Sequence, residues 1–207
     1  MDMPKRVDHH ERRTEIADAL LRVAADRGVE AVSLRHVAAE AGVSTGMVQH
    51  YFRTKDEMLL FALDAVSERT RTRLSSEEAD LGRSPTPGAF VRALLVQQLP
   101  FDETRRIEGR VALAFHAYTA RHPAIAEKLS EANAQLGNCL ADLIRRAQAA
   151  GEAPTHLDPD HTSSALLALV EGLGVRAAVA HHPPGEALTV LDAHLQTVFG
   201  TASPAPR

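Results

Sequence analysis

The chain has 207 residues, 44% hydrophobic and 24% charged, a balance that fits one or two globular domains and excludes disordered, collagen-like and fibrous classes. Its formal charge of −4, from 23 Lys and Arg against 27 Asp and Glu, offers no bulk basic excess for nucleic acid or an anionic membrane. The lone cysteine, Cys139, has no disulfide partner, and the opening MDMPKRVDHHERR carries charges where a secretory signal needs an apolar run. Apolar stretches such as 162–170 reach about half of the ~20 residues that a membrane span requires, so a cytoplasmic location is expected.

Apolar residues recur at helical spacing almost throughout, and no segment sustains the alternation of a strand. The expected fold is all-α, with about nine helices. The first should cover about residues 8–27, with Ile16, Ala17, Leu20, Leu21, Val23 and Ala24 as its apolar stripe and Gly28 at its end. Ser33 is placed to cap a short helix over 34–41, closed by Gly42; Ser44 or Thr45 opens an equally short one ending near Tyr51. Thr54 to Glu57 reads T-x-x-E, a capping box, and starts a fourth helix running into the 70s. After the break from Gly82 to Gly88, Thr86 caps and Pro87 begins a fifth helix that ends before Pro100. A sixth spans about 102–121. Pro123 starts a long helix to about residue 150, with Ile125, Leu129, Ala132, Leu136, Leu140 and Leu143 on one face. A strongly apolar helix over about 159–180 and a last one over about 185–199 follow, before a tail, GTASPAPR, expected to fray. The seam near Tyr51 to Thr54 divides a head, residues 1–53, from a body, residues 54–207.

Residues 33–52 read SLRHVAAEAGVSTGMVQHYF, two short helices around a glycine-containing turn, which is what a helix-turn-helix requires. Val37, Ala38, Ala41, Val43 and Val48 supply the small apolar wedge between the helices. Thr45, Gly46, Met47, Gln49 and His50 are then left to face outward, where a hydroxyl, bare backbone, thioether, amide and imidazole can meet base edges in a major groove.

The run from about Arg13 to Leu60 resembles the DNA-binding domain of the TetR family of transcriptional regulators. The resemblance rests on the first apolar stripe, Gly28, Ser33-Leu34 leading to Val37-Ala38, Ala41-Gly42-Val43-Ser44, Gly46, Tyr51-Phe52 and Lys55. It implies an N-terminal three-helix DNA-binding domain followed by a helical ligand-binding and dimerisation domain. It also implies that Ser33, Ser44, Tyr51 and Lys55 touch phosphates, and that Arg35, Thr45, Gly46, Met47 and His50 reach bases or backbone. Gln49 stands where the family often has tyrosine; its amide can read adenine in a bidentate manner, so operator preference does not carry over. Phe52 is expected to pack inside. Acidic Asp2, Asp8 and Glu11, interleaved with Lys5, Arg6, Arg12 and Arg13, argue against a basic minor-groove arm.

One small head contacts few phosphates, so a homodimer on a palindromic operator is expected. The resemblance suggests that the last two helices pair with their symmetry mates through Leu166, Leu169, Val170, Leu173, Leu188, Leu191 and Leu195, burying roughly 2,000 Å². Candidate effector contacts are polar or aromatic residues on apolar helices: Gln98, Phe101, Arg110, Phe115, His116, Tyr118, Asn138 and Glu171, with Gln97, Asn133 and Cys139 beside them. With no Trp and 4% aromatic residues, an aliphatic cavity is favoured over an aromatic cage, leaving lipid-like or small acyl effectors open. The pairs His9-His10 and His181-His182 diverge on a helix, and His156 and His161 are little better, so neither metal nor cofactor is expected. No P-loop, G-x-S-x-G, H-E-x-x-H or C-x-x-C occurs, and no catalytic residue is assigned. The leading reading is an effector-released repressor that binds double-stranded DNA; the alternative is an all-α small-molecule carrier or enzyme with a vestigial head.

The charge divides unevenly. Residues 1–55 hold 9 basic and 8 acidic side chains, net +1, and residues 56–207 hold 14 and 19, net −5. The acidity belongs to the body.

Overall fold

The computed structural model describes residues 9–80, 86–180 and 184–200. His181-His182, Lys5, Arg6 and the tail beyond Gly200 lie outside them. Among the described residues the chain is helical without strands: α1 (His9–Arg27), a 3₁₀ turn (Val29–Ala31), α2 (Leu34–Ala41), α3 (Thr45–Tyr51), α4 (Lys55–Asp80), α5 (Pro87–Val96), α6 (Glu103–Thr119), α7 (Pro123–Ala149), α8 (Pro159–Ala180) and α9 (Pro184–Phe199). All nine expected helices are present. The 3₁₀ turn was not legible from periodicity; Val29 and Val32, each 2% exposed, draw that link into the core. α5 stops at Val96, short of Pro100, because Gln98 and Leu99 donate to the Leu95 and Val96 carbonyls and tighten the chain into a turn.

Two compact units result, Met1–Arg69 with Arg110–Lys128, and Thr70–Gly109 with Leu129–Arg207. In the first, α1 buries the stripe read from the sequence, and Val37, Ala38, Val48, Phe52, Met58, Leu59 and Ala62 complete the interior. Phe52 lies 5.5 Å from Phe61, and the Arg13 guanidinium sits over both rings, 4.8 and 4.4 Å from their centroids. One cation thus clamps α1 to α4 and to the residue that ends α3. Arg22 pairs with Glu40 at 2.7 Å between α1 and α2, and Arg69 pairs with Asp18. The capping box is formed: Glu57 N–H donates to Thr54 Oγ1 at 3.0 Å, and the Glu57 carboxylate accepts from the Arg53 N–H at 2.9 Å.

The second unit is built on Val91, Leu94, Leu95 and Leu99 of α5 and the link after it, Leu140 and Ile144 of α7, Leu166 and Val170 of α8, and Leu191 and Leu195 of α9. Ser163, 2% exposed, donates to the Gly137 carbonyl at 2.8 Å and joins α7 to α8. Arg92 holds Asp192 through two hydrogen bonds of 2.6 and 3.1 Å between α5 and α9. Asp102 accepts from the Arg105 N–H and from its guanidinium, each at 2.8 Å; desolvation pushes its carboxyl up, but these donors outweigh it and hold the group below the usual carboxylate range.

Phe52→Ala is expected to cost the first unit about 3–5 kcal/mol, the usual loss for an emptied aromatic site. Urea denaturation followed by circular dichroism measures it; a loss under about 1 kcal/mol would remove Phe52 from its role as anchor.

Candidate nucleic-acid interface

The interface begins with two capping serines. Ser33, in extended backbone, accepts from the His36 N–H at 3.2 Å and starts α2; Ser44 accepts from the Met47 N–H at 3.1 Å and starts α3. Between them the chain must reverse within Gly42 and Val43. Gly42 adopts φ 67° and ψ 28°, a left-handed conformation that a side chain disfavours, and the Val43 N–H reaches back to the Ala38 carbonyl at 3.0 Å. This turn sets α3 across α2. α3 then buries Val48 completely, leaving most of its surface in water.

On that outer surface stand Thr45, Gly46, Met47, Gln49 and His50, all exposed, with Arg35 exposed on α2 and Ser44 exposed at the cap. The side chains of Arg35, Thr45 and Gln49 have no hydrogen-bond partner among the described residues, so their polar groups remain available to a ligand. Met47 is 41% exposed. Gly46 is informative in a different way. A Cβ built there would meet only Ser44 Oγ, at 3.9 Å, so no close contact inside the chain calls for glycine.

Tyr51 is half-buried and forms a small ring cluster with His9, 4.7 Å away, and His50, 5.1 Å away. His36 is tied inward, with Nδ1 2.7 Å from the Ala31 carbonyl oxygen. Lys55 differs from the free surface cation expected at the start of α4. It is half-buried, its ammonium donates to the Glu30 carbonyl at 3.2 Å, and it lies 5.0 Å from the centre of the Tyr118 ring, which stacks on His122 at 3.6 Å. Burial pulls its pKa below the ordinary lysine value, with Glu30 and Asp56 opposing.

The candidate effector residues are divided between the two units. Arg110, Phe115, His116 and Tyr118 belong to the first unit, and Gln98, Phe101, Asn138 and Glu171 to the second. Phe115 and Tyr118 are core, 0% and 5% exposed, and Arg110 faces Asp26 at 3.9 Å. His116, Asn138 and Glu171 lie on the surface, while Gln98 and Phe101 are half-buried. Gln97 is a satisfied core residue, accepting from Arg73, which also grips Glu108 at 2.9 Å. The second unit does contain a hollow of about 210 Å³, lined by Leu74, Phe90, Leu94, Cys139, Leu143 and Arg146. Of these, Cys139 alone is among the candidate effector residues of the sequence. The missed signal was the spacing of Cys139, Leu143 and Arg146, which puts an arginine on the apolar face of α7. Of the residues assigned to a dimer seam, Leu166, Val170, Leu191 and Leu195 are covered within the single chain, by 94% or more, and have little area left to bury. Leu169, Leu173 and Leu188 stay half-buried, and Val175 and Val190 are 40% and 47% exposed. Among the described residues no helix is long and apolar enough to cross a membrane, and no three His, Cys, Asp or Glu side chains cluster as metal ligands.

A glycine-hinged pair of short helices with an outward polar face, carried on a helical body, defines a helix-turn-helix DNA-binding regulator. The comparisons name the family. Residues 16–62 match the tetR family of bacterial regulatory proteins, and residues 87–200 match the C-terminal domain of BetI-type transcriptional repressors. The chain is 35% identical over 175 residues to the HTH-type transcriptional regulator PksA of Bacillus subtilis strain 168, covering 84% of this chain and 82% of that one. A transcriptional regulator from Rhodococcus sp. Rha1 superposes with a TM-score of 0.75 at 34% identity, covering 90% of this chain and 95% of that one. One from Saccharomonospora viridis, solved in complex with choline, does so with a TM-score of 0.73 at 26% identity, covering 91% and 95%. The chain belongs to the TetR family. It is a DNA-binding transcriptional regulator and not an enzyme.

Gly46→Ala separates folding from recognition. Helix propensity predicts a head more stable by up to about 1 kcal/mol, while the added methyl, unopposed inside the chain, obstructs an approaching backbone and weakens DNA binding. Thermal unfolding and a mobility-shift titration on the same variant check both halves.

Proposed function

We propose that the protein is a homodimeric repressor that holds a palindromic operator through the outward face of α3 and releases it when a small molecule fills the body. The observation carrying the reading is that Arg35, Thr45 and Gln49 keep their polar groups unpaired beside the bare backbone of Gly46 and the exposed Met47. In this arrangement Gln49 reads a base edge, Ser33, Ser44 and Tyr51 approach phosphates, and Lys55 spends one N–H on Glu30 with others left for a phosphate oxygen. His50 and Thr45 border the same groove.

Two heads gain over one because each neutralises few phosphates; half-sites then lie ~34 Å or a multiple apart. Leu169, Leu173 and Val175 of α8 with Leu188 and Val190 of α9 supply the apolar seam for the second copy. Support for an effector comes from the BetI-type body and from the choline-bound Saccharomonospora viridis relative. α4 belongs in part to each unit, so an effector that prefers a different setting of this helix shifts the heads away from groove spacing. A coupling of about 1–3 kcal/mol changes operator affinity roughly 5- to 150-fold.

Mobility-shift titrations on the DNA flanking its own coding region, at several salt concentrations, are expected to show a saturable complex whose affinity falls steeply with salt. Gln49→Ala is expected to change which sequences bind best, whereas Lys55→Ala should weaken all sequences alike. A carrier with a vestigial head would show no saturable complex there or in a random operator library. In sedimentation, Val190→Glu is expected to shift the free protein from dimer to monomer, since an unpaired charge at a packed seam costs several kcal/mol.

A further inference from the structure

Arginines of the second unit are mostly consumed by acids. Arg145 is gripped by Asp142 at 2.7 Å and by both oxygens of Asp160 at 2.8 Å; Arg92 holds Asp192, Arg105 holds Asp102, and Arg73 holds Glu108. The guanidinium of Arg146, the next residue along, has no ionic or hydrogen-bonding partner among the described residues. It lines the 210 Å³ hollow, whose other walls are Leu74 of α4, Phe90 and Leu94 of α5, and Cys139 and Leu143 of α7. Among the described residues no acidic side chain lines that space. A guanidinium stays charged at any physiological pH and presents a fork matched to a carboxylate, here at the edge of an aliphatic wall.

We propose that this hollow binds a small amphiphilic anion, an alkyl or acyl carboxylate, with its head on Arg146 and its hydrocarbon against Leu74, Phe90, Leu94 and Leu143. The proposal names the ligand class for the effector reading above and rests on it. A quaternary ammonium ligand is disfavoured, because the lining offers one ring, Phe90, in place of an aromatic cage, and a fixed positive charge. The volume lies below the ~300 Å³ at which drug-sized pockets begin, which suits a short chain.

Cys139 makes occupancy measurable without DNA. It is the single cysteine of the chain, it is exposed, and it lines the same hollow, so alkylation by iodoacetamide modifies one site, and a bound chain shields it. The alkylation rate is followed by mass spectrometry for the full-length protein alone and with millimolar octanoate, octanol or octyltrimethylammonium. Octanoate is expected to slow the reaction at about two- to fivefold lower concentration than octanol, the gain of a solvent-exposed charge pair, since Arg146 is itself exposed. Arg146→Gln is expected to make the two equal, and Arg146→Lys to retain part of the preference. The proposal is overturned if octyltrimethylammonium protects as well as octanoate, if octanoate gives no protection, or if its advantage survives Arg146→Gln. Operator release by octanoate, assayed in parallel, tests the effector reading separately: protection without release leaves the anion site standing and removes its regulatory role.

Discussion

The outward helix of the helix-turn-helix, α3, is too short to exist by itself. Seven residues, Thr45–Tyr51, give α3 fewer turns than an isolated helix needs in water, so its position is imposed entirely by what it buries. That is very little: Val48 within the helix and Phe52 immediately after it, both 0% exposed. Arg13 then locks Phe52 against Phe61, and Ser44 and Gly42 determine where the helix starts and how it crosses α2. Because two fully buried side chains do most of the anchoring, Thr45 to Gln49 apart from Val48 carry little structural duty. This is why a methionine, an amide and a hydroxyl can share one exposed surface with a glycine whose cost to the fold is that of helix propensity alone.

The net charge acquires a different meaning once it is located. An acidic chain is a poor polyanion binder in bulk, yet the acidity resides in residues 56–207, and the segment 31–55 carries Arg35, Arg53 and Lys55 against the single acid Glu40. Modest positive charge on the head favours recognition by shape and base edges over a broad phosphate grip, and gives the proposed dimer its advantage over a single head. In the second unit most arginines are neutralised locally, and the contrast between Arg145 and Arg146 carries more information than any count of charges.

Much of the fold was readable because the signals were local. Caps at Ser33, Ser44, Thr54 and Thr86, the left-handed Gly42 and the stripe of α1 are each decided within a few residues, and the structure places them as read. The outward set on α3 followed from the same helical period. What failed to show was decided by partners distant in sequence. Lys55 looks like a free cation until Glu30 and Tyr118 are brought beside it. Phe115 and Tyr118 look like ligand contacts, but their burial belongs to the interior of the first unit. Leu166, Val170, Leu191 and Leu195 read as surplus apolar surface because periodicity cannot tell a core shared with α5 and α7 from a seam shared with a second copy. The hollow is not legible in the sequence for a related reason: its walls come from three helices, and helical periodicity describes one helix at a time.

The central claim is that DNA lies against the exposed face of α3 and not against another apolar surface of the same unit. Met47 and Leu113 are matched controls, 41% and 39% exposed, both within the first unit. Replacing each in turn with the photocrosslinker p-benzoylphenylalanine and irradiating the protein on an operator selected from random DNA compares them directly. Crosslinks to operator bases are expected from position 47 and none from position 113; crosslinks from position 113 alone would overturn the assignment of the exposed face of α3 to DNA.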